Sequence, residues 1–236
     1  MFKKFFCATM FTVTLASASF SGNIDDALQA SKPGDDQKAY QLFLIEADNG
    51  EPLAQHNLGV MYENGQGVPR DNQEAIRWYR LAAGQGYALS QYNLGVMYED
   101  GLGVPQDYKE AVKWYLLAAE QGDARAQFNL GVMYQNNLGV PQDHKDAVKW
   151  YRLAAEQGDA RAQSNLGVMY ANGYGVMESY EDAYAWWVVA AANGEQTALK
   201  NIDLVKGVMT PQAIERGQLI AVNILAKLNN QLIQPE

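Results

Sequence analysis

Catalysis needs reactive side chains that converge on one point, and this sequence offers few. It has two histidines, His56 and His144, and one cysteine, Cys7. Both histidines occupy variable positions of an internal repeat, where other copies have Tyr92, Phe128 and Ser164 or Asn72, Tyr108 and Tyr180. Neither Ser-x-x-Lys, Gly-x-Ser-x-Gly nor His-Glu-x-x-His occurs, so the common serine-acylation and zinc signatures are absent. Asp and Glu number 27 against 18 Lys and Arg, for a formal net charge of −9. That balance argues against nucleic acid, whose phosphates need a basic footprint. The carboxylates recur mainly at helix starts and on polar faces. The residues therefore predict no metal, no cofactor and no enzyme.

The N-terminus reads as an export signal. Lys3 and Lys4 precede an apolar run from Phe5 to Leu15, followed by the small-residue cleavage word Ala16-Ser17-Ala18. Cleavage there removes Cys7 and two lysines. The mature chain is then more acidic, thiol-free and stable without disulfides in an oxidising compartment. The expectation is a periplasmic or secreted protein with no membrane insertion after cleavage.

A repeat organises the rest. Asn-Leu-Gly-Val-Met-Tyr occurs four times, its glycine at Gly59, Gly95, Gly131 and Gly167, each 36 residues apart. Residues 89–124 and 125–160 agree at 27 of 36 positions, beyond what shared composition produces. Trp-Tyr recurs at 78–79, 114–115 and 150–151 and becomes Trp186-Trp187, in core spacing.

Each unit predicts two helices. The first, near 52–64 in copy one, aligns Ala54, Leu58, Met61 and Tyr62 on one stripe, with Gly59 beside it to admit a close neighbour. The second starts at Asp71, an N-cap, with Glu74 completing a capping box, and Asp107 with Glu110 repeats the device. The Gly-x-Gly-Val-Pro word between them reads as a turn. Asn137 replaces its first glycine in copy three and tolerates positive φ. Asn57, Asn93, Asn129 and Asn165 form a row expected to hydrogen-bond between repeats.

These patterns divide the chain into a signal peptide (1–18), a loose segment (19–35), a lone second-type helix (36–50), four repeats (51–194), and a degenerate half-repeat with a C-terminal capping helix (195–236). The fold class is all-α, a right-handed solenoid of helix-turn-helix repeats. A monomer is expected, with the last helix as the surface for any self-association.

The unit resembles the tetratricopeptide class, whose period is 34. Its words Ala-Gln-x-Asn-Leu-Gly-x-Met-Tyr, Gly-x-Gly-Val-x-x-Asp and Ala-x-x-Trp-Tyr-x-x-Ala-Ala resemble the Sel-one-like repeat family over 51–194. That resemblance implies a scaffold for assembling protein complexes, often exported and often host-directed in bacteria. Copy four departs from the pattern at Met177 and Ser179, which puts its loop in question. Cysteine-rich relatives carry a disulfide per repeat and bind penicillin, and the missing mature cysteine sets this chain apart from them.

Function then falls to the face opposite the buried stripe of the first helices. With about 100° per residue, positions 53, 56, 60 and 63 and their equivalents share that face, expected to be concave. His56, Tyr92, Phe128 and Ser164 differ in every copy while the buried words stay fixed. Glu63 and Glu99 lie in the early copies, Arg125 and Arg161 in the late ones, an arrangement that would orient a bound segment. Drift of solvated residues produces similar variation. The favoured reading is an exported scaffold binding a protein or peptide. The alternative is a cell-envelope enzyme or binder acting on peptidoglycan or penicillin-like ligands.

Overall fold

A computed structural model describes residues 24–31 and 35–233, with side chains up to residue 230. The expected signal peptide and part of the loose segment lie outside these residues. Twelve helices and no strand are present among the described residues. They are α1 (24–30), α2 (Asp36–Asp48), α3 (Pro52–Asn64), α4 (Asn72–Gly84), α5 (Ala88–Asp100) and α6 (Tyr108–Glu120). Then follow α7 (Ala124–Asn136), α8 (His144–Glu156), α9 (Ala160–Asn172), α10 (Tyr180–Ala192), α11 (Gln196–Lys206) and α12 (Pro211–Ile233). In the repeats, α3, α5, α7 and α9 are the first or A helices, and α4, α6, α8 and α10 the second or B helices. This is the repeated helix pairing of an α-solenoid.

The chain falls into two compact units. One runs to Ser90 and includes Leu102–Val104, and the other holds Gln91–Gly101 and everything from Pro105 on. Their cores repeat one arrangement. In the first, Ala54, Leu58 and Met61 of α3 pack with Phe43 of α2 and Trp78 of α4. In the second, Ala126, Leu130 and Met133 of α7 meet Ala111 and Tyr115 of α6, and Ala162, Leu166 and Met169 of α9 meet Ala147 and Tyr151 of α8. Tyr79, Tyr115 and Tyr151 are fully buried. Tyr62, expected on the buried stripe, is only half-buried and hydrogen-bonds the Tyr40 hydroxyl at 3.0 Å.

The aspartate N-caps form as the sequence predicts, but the capping boxes do not close. The Asp71 and Asp107 amides donate to the Tyr62 and Tyr98 carbonyls of the preceding helix, and the Glu74 and Glu110 carboxylates pair with Arg77 and Lys113. The Asp71 side chain accepts from the Gln73 and Glu74 amides, and Asp107 from Lys109 and Glu110. Asn137 adopts φ 58°, ψ 39°, a left-handed conformation that its short polar side chain tolerates. The loop of copy four keeps its form despite Met177. Ser179 caps α10 by accepting from the Asp182 amide while its hydroxyl donates to the Asp182 carboxylate.

A glutamine device that the sequence reading passed over joins the repeats. Gln127 of α7 donates to the Ala119 carbonyl of the preceding B helix and accepts from Gln157, at the end of its own B helix. Gln163 does the same with Ala155 and Asn193, and Gln55 with Ala47 and Gln85. Each glutamine adds a second hydrogen bond to a helix-end carbonyl that already accepts from the glycine amide three residues on, and ties three helices together. The asparagine row is a smaller contributor. Asn129 and Asn165 bond the Tyr115 and Tyr151 hydroxyls of the preceding repeat, whereas Asn57 bonds its own helix at the Leu53 carbonyl.

The last helix does not close the end of the array as expected. It runs along α10, where Ala221 and Leu228 pack on Ala185 and Val189, and Arg216 pairs with Glu181 at 2.6 Å. Leu199 and Leu204 of α11 stay 52% and 73% exposed. The physical reason lies in α10 itself. It is apolar on its outer side as well as its inner one, and a helix hydrophobic all round must be covered on both.

Candidate protein-binding face

The A helices of the second unit carry two identical constructions one repeat apart. In each, an aspartate caps the helix and grips the arginine two residues on. Asp123 accepts from the Arg125 and Ala126 amides, while the Arg125 guanidinium binds both its oxygens, Nη2 at 2.6 Å and Nε at 3.2 Å. That grip lays the guanidinium over the Tyr92 ring of the preceding repeat, 4.1 Å from its centroid. Asp159 holds Arg161 in the same way, 4.2 Å over Phe128. Beneath them Tyr92 leans on Tyr115 and Phe128 on Tyr151, each pair with centroids 5.9 Å apart. The stack is arginine, half-buried aromatic, buried tyrosine.

Electrostatics hold this stack in one state. Hydrogen bonding to Asp123 and Asp159 pushes the Arg125 and Arg161 pKa values further up. Burial raises the Tyr92 hydroxyl against the pull of both arginines, so it stays protonated. The capping aspartates largely neutralise the arginines, so this face is not the positive end expected from sequence. What remains is a pair of rigid planar groups with free N–H edges beside aromatic edges. Such surfaces suit the backbone carbonyls and apolar side chains of another chain.

The other expected site residues have structural duties. In the first unit, His56 Nδ1 meets the Ser90 hydroxyl at 2.9 Å, and its ring lies between Tyr79 and Tyr87. Glu63 accepts from the buried Tyr79 hydroxyl at 2.6 Å. In the second unit Glu99 accepts from Tyr115 at 2.5 Å, and burial raises its pKa against that hydrogen bond. These acids are half-buried anchors for tyrosines and not a free acidic rim. Ser164, expected on the exposed face, is instead buried: it is 7% exposed, and its backbone carbonyl accepts from Trp187. The position is filled by a small residue because the indole of Trp187 takes the space that a tyrosine leaves open in other copies.

The structure thus unites Tyr92 with Arg125 and Phe128 with Arg161, and withdraws Ser164. The aspartates at 123 and 159 were missed, although their spacing from Arg125 and Arg161 recurs unchanged. Among the described residues no group of three or more His, Cys, Asp or Glu could hold a metal ion, and no helix is long and apolar enough to cross a membrane.

Comparison with known proteins agrees with the repeat architecture. The Sel1 repeat family matches residues 52–87, 88–123, 124–159 and 160–195. A Sel1 repeat protein from Oxalobacter formigenes is 37% identical with a TM-score of 0.72, over 79% of this chain and 55% of that one. A protective antigen of uropathogenic Escherichia coli displaying an SLR fold is 27% identical with a TM-score of 0.56, over 94% and 58%. A Klebsiella pneumoniae protein described as a sel1 repeat protein shares the fold at 21% identity and a TM-score of 0.50, over 82% and 97%. This chain thus spans little more than half the length of the first two. No curated protein matches it by sequence. Four matched repeats in register with four helical hairpins place the chain in the Sel1 repeat family, whose solenoids are scaffolds.

Proposed function

We propose that the protein is an exported scaffold that binds an extended segment of a partner protein along the A helices of its second unit. The observation carrying this reading is the doubled stack, Arg125 over Tyr92 and Arg161 over Phe128, built twice with the same grip and spacing. Each stack is preorganised, so a partner does not have to order these side chains on binding. Family membership supports interaction over catalysis, since Sel1 repeats typically mediate contacts between proteins.

The test is photocrosslinking from position 128 in the native compartment, followed by affinity measurement on the captured partner. A Tyr92→Ala, Phe128→Ala double variant should weaken that partner at least about thirtyfold, because truncating an aromatic anchor typically costs about 2 kcal/mol or more. Helical content should stay unchanged. Equal affinity of variant and wild type would remove this face from the function.

Export rests on the Lys3-Lys4, apolar-run and Ala16-Ser17-Ala18 pattern. The intact mass of natively produced protein should lack residues 1–18. Recovery with Met1 still attached would refute export by this signal.

A further inference from the structure

A second surface lies on the B helices, and the chain's own C-terminal helix shows what fits there. In the second unit one repeat position holds Leu117, Leu153 and Val189. Leu117 and Leu153 are 44% and 38% exposed, whereas Val189 is fully buried beneath α12.

The seat of α12 is built from two neighbouring B helices. On α10, Glu181 pairs with Arg216, Tyr184 lies against Gly217, and Ala185 and Val189 receive Ala221 and Leu228. On α8, Glu156 pairs with Lys227 at 3.3 Å, and Leu153 borders a cleft shared with Leu225 and Leu228. The start of α12 thus lies at the start of α10 and its later turns at the ends of α8 and α10, so the helices run parallel.

One repeat earlier the same positions recur with other charges. Lys145 stands for Glu181, Val148 for Tyr184, Lys149 for Ala185 and Leu153 for Val189, while Leu117 stands for Leu153 and Glu120 for Glu156. Lys145, Lys149, Leu117, Leu153 and Glu120 form a related but more polar seat, with Lys149 and Arg152 where α10 has Ala185 and Val188. Its apolar positions are Leu117 and Leu153, and it is positive where an incoming helix would begin and negative at Glu120, where it would end. Among the described residues, none of the hydrogen bonds or ion pairs of α12 reaches α6.

We propose that this face of α6 and α8 docks an amphipathic helix of a partner protein, lying parallel to α8. Its apolar stripe covers Leu117 and Leu153. Acidic residues in its first two turns meet Lys145 and Lys149, and a basic residue near its end meets Glu120. That charge order also suits the helix macrodipole of the incoming segment. A second copy of α12 fits poorly, because its Arg216 would confront Lys145. The proposal stands apart from the A-helix face and does not depend on it.

The probe is a labelled peptide of residues 211–233 carrying R216E, titrated into the full-length protein by fluorescence anisotropy. It should bind, and the unmodified peptide should bind at least about tenfold more weakly, since misplacing one charge at a partly buried contact costs about 1.4 kcal/mol or more. Leu117→Glu, at an exposed position away from α12, should weaken the R216E peptide by about tenfold or more without changing helical content. Lys145→Glu should reverse the preference between the two peptides. No binding of the R216E peptide would overturn the proposal. So would binding insensitive to Leu117→Glu and Lys145→Glu, which would place the peptide in α12's own seat.

Discussion

Replacing Gly131 by alanine is expected to destabilise the protein by about 2 kcal/mol, although alanine is the better helix former by about 1 kcal/mol. A Cβ built on Gly131 would stand 2.4 Å from Cδ1 and 2.5 Å from Cε1 of Tyr151. The tyrosine cannot turn aside. Its ring is fully buried, its hydroxyl donates to Gln135 at 2.7 Å, and Phe128 lies against its face. The two helices must therefore separate, and the close-packed layers around them transmit the shift. Thermal unfolding followed by circular dichroism should show a midpoint lower by roughly 4–8 °C for a chain of this size. Adding Tyr151→Leu should cost less in the Gly131→Ala background than alone, since the two changes relieve one another. Strict additivity, or an unchanged midpoint, would mean that the A and B helices do not depend on this approach.

A chain ending at Lys206 should fare worse. Loss of α12 uncovers Ala185 and Val189, both fully buried, and opens the outer side of Tyr184 and Trp186, which are 3% and 5% exposed. Returning such side chains to water costs about 1.5–3 kcal/mol for each large one, a substantial part of a typical domain's stability. The truncated protein should melt at least about 10 °C lower or aggregate relative to the full chain in size-exclusion chromatography. By contrast, Leu219→Ser on the outer side of α12, where Leu219 is 63% exposed, should stay within about 0.5 kcal/mol of wild type. A truncated chain that stays free of aggregate with an unchanged transition would show that α12 is not integral to the second unit.

The contacts legible in the sequence were all among residues that repeat, although not every repeating residue was legible. Gly131 and Tyr151, Asp71 and Glu74, and Asn137 each lie at a fixed offset from partners that recur every 36 residues. The period therefore exposes both members of each contact, and the hairpins, caps and turns followed from sequence. The binding face was half legible. Variation at 56, 92, 128 and 164 marked one helix side, but it did not reveal that Ser164 is covered by Trp187 or that Glu63 and Glu99 anchor tyrosines. Those outcomes depend on the size and direction of side chains in the neighbouring helix, which a one-helix projection omits.

The period, the pairing of helices, the N-caps and the close glycine approach can be read from the residues alone, because these are local or strictly periodic requirements of a stacked backbone. Where the arginines point, which carbonyls the glutamines reach and where α12 lies depend on contacts between neighbouring helices. Arg125 could have reached into solvent, and the capping geometry of Asp123 turns it back over Tyr92. The seat of α12 had a trace in the sequence. Ala185, Val188, Val189 and Ala192 replace Lys149, Arg152, Leu153 and Glu156 of the preceding B helix, leaving α10 without a polar side. That loss predicts a cover without naming it. A helix that occurs once has no repeat to record its partner, so the choice fell to the apolar area and ion pairs that α10 and α8 present together.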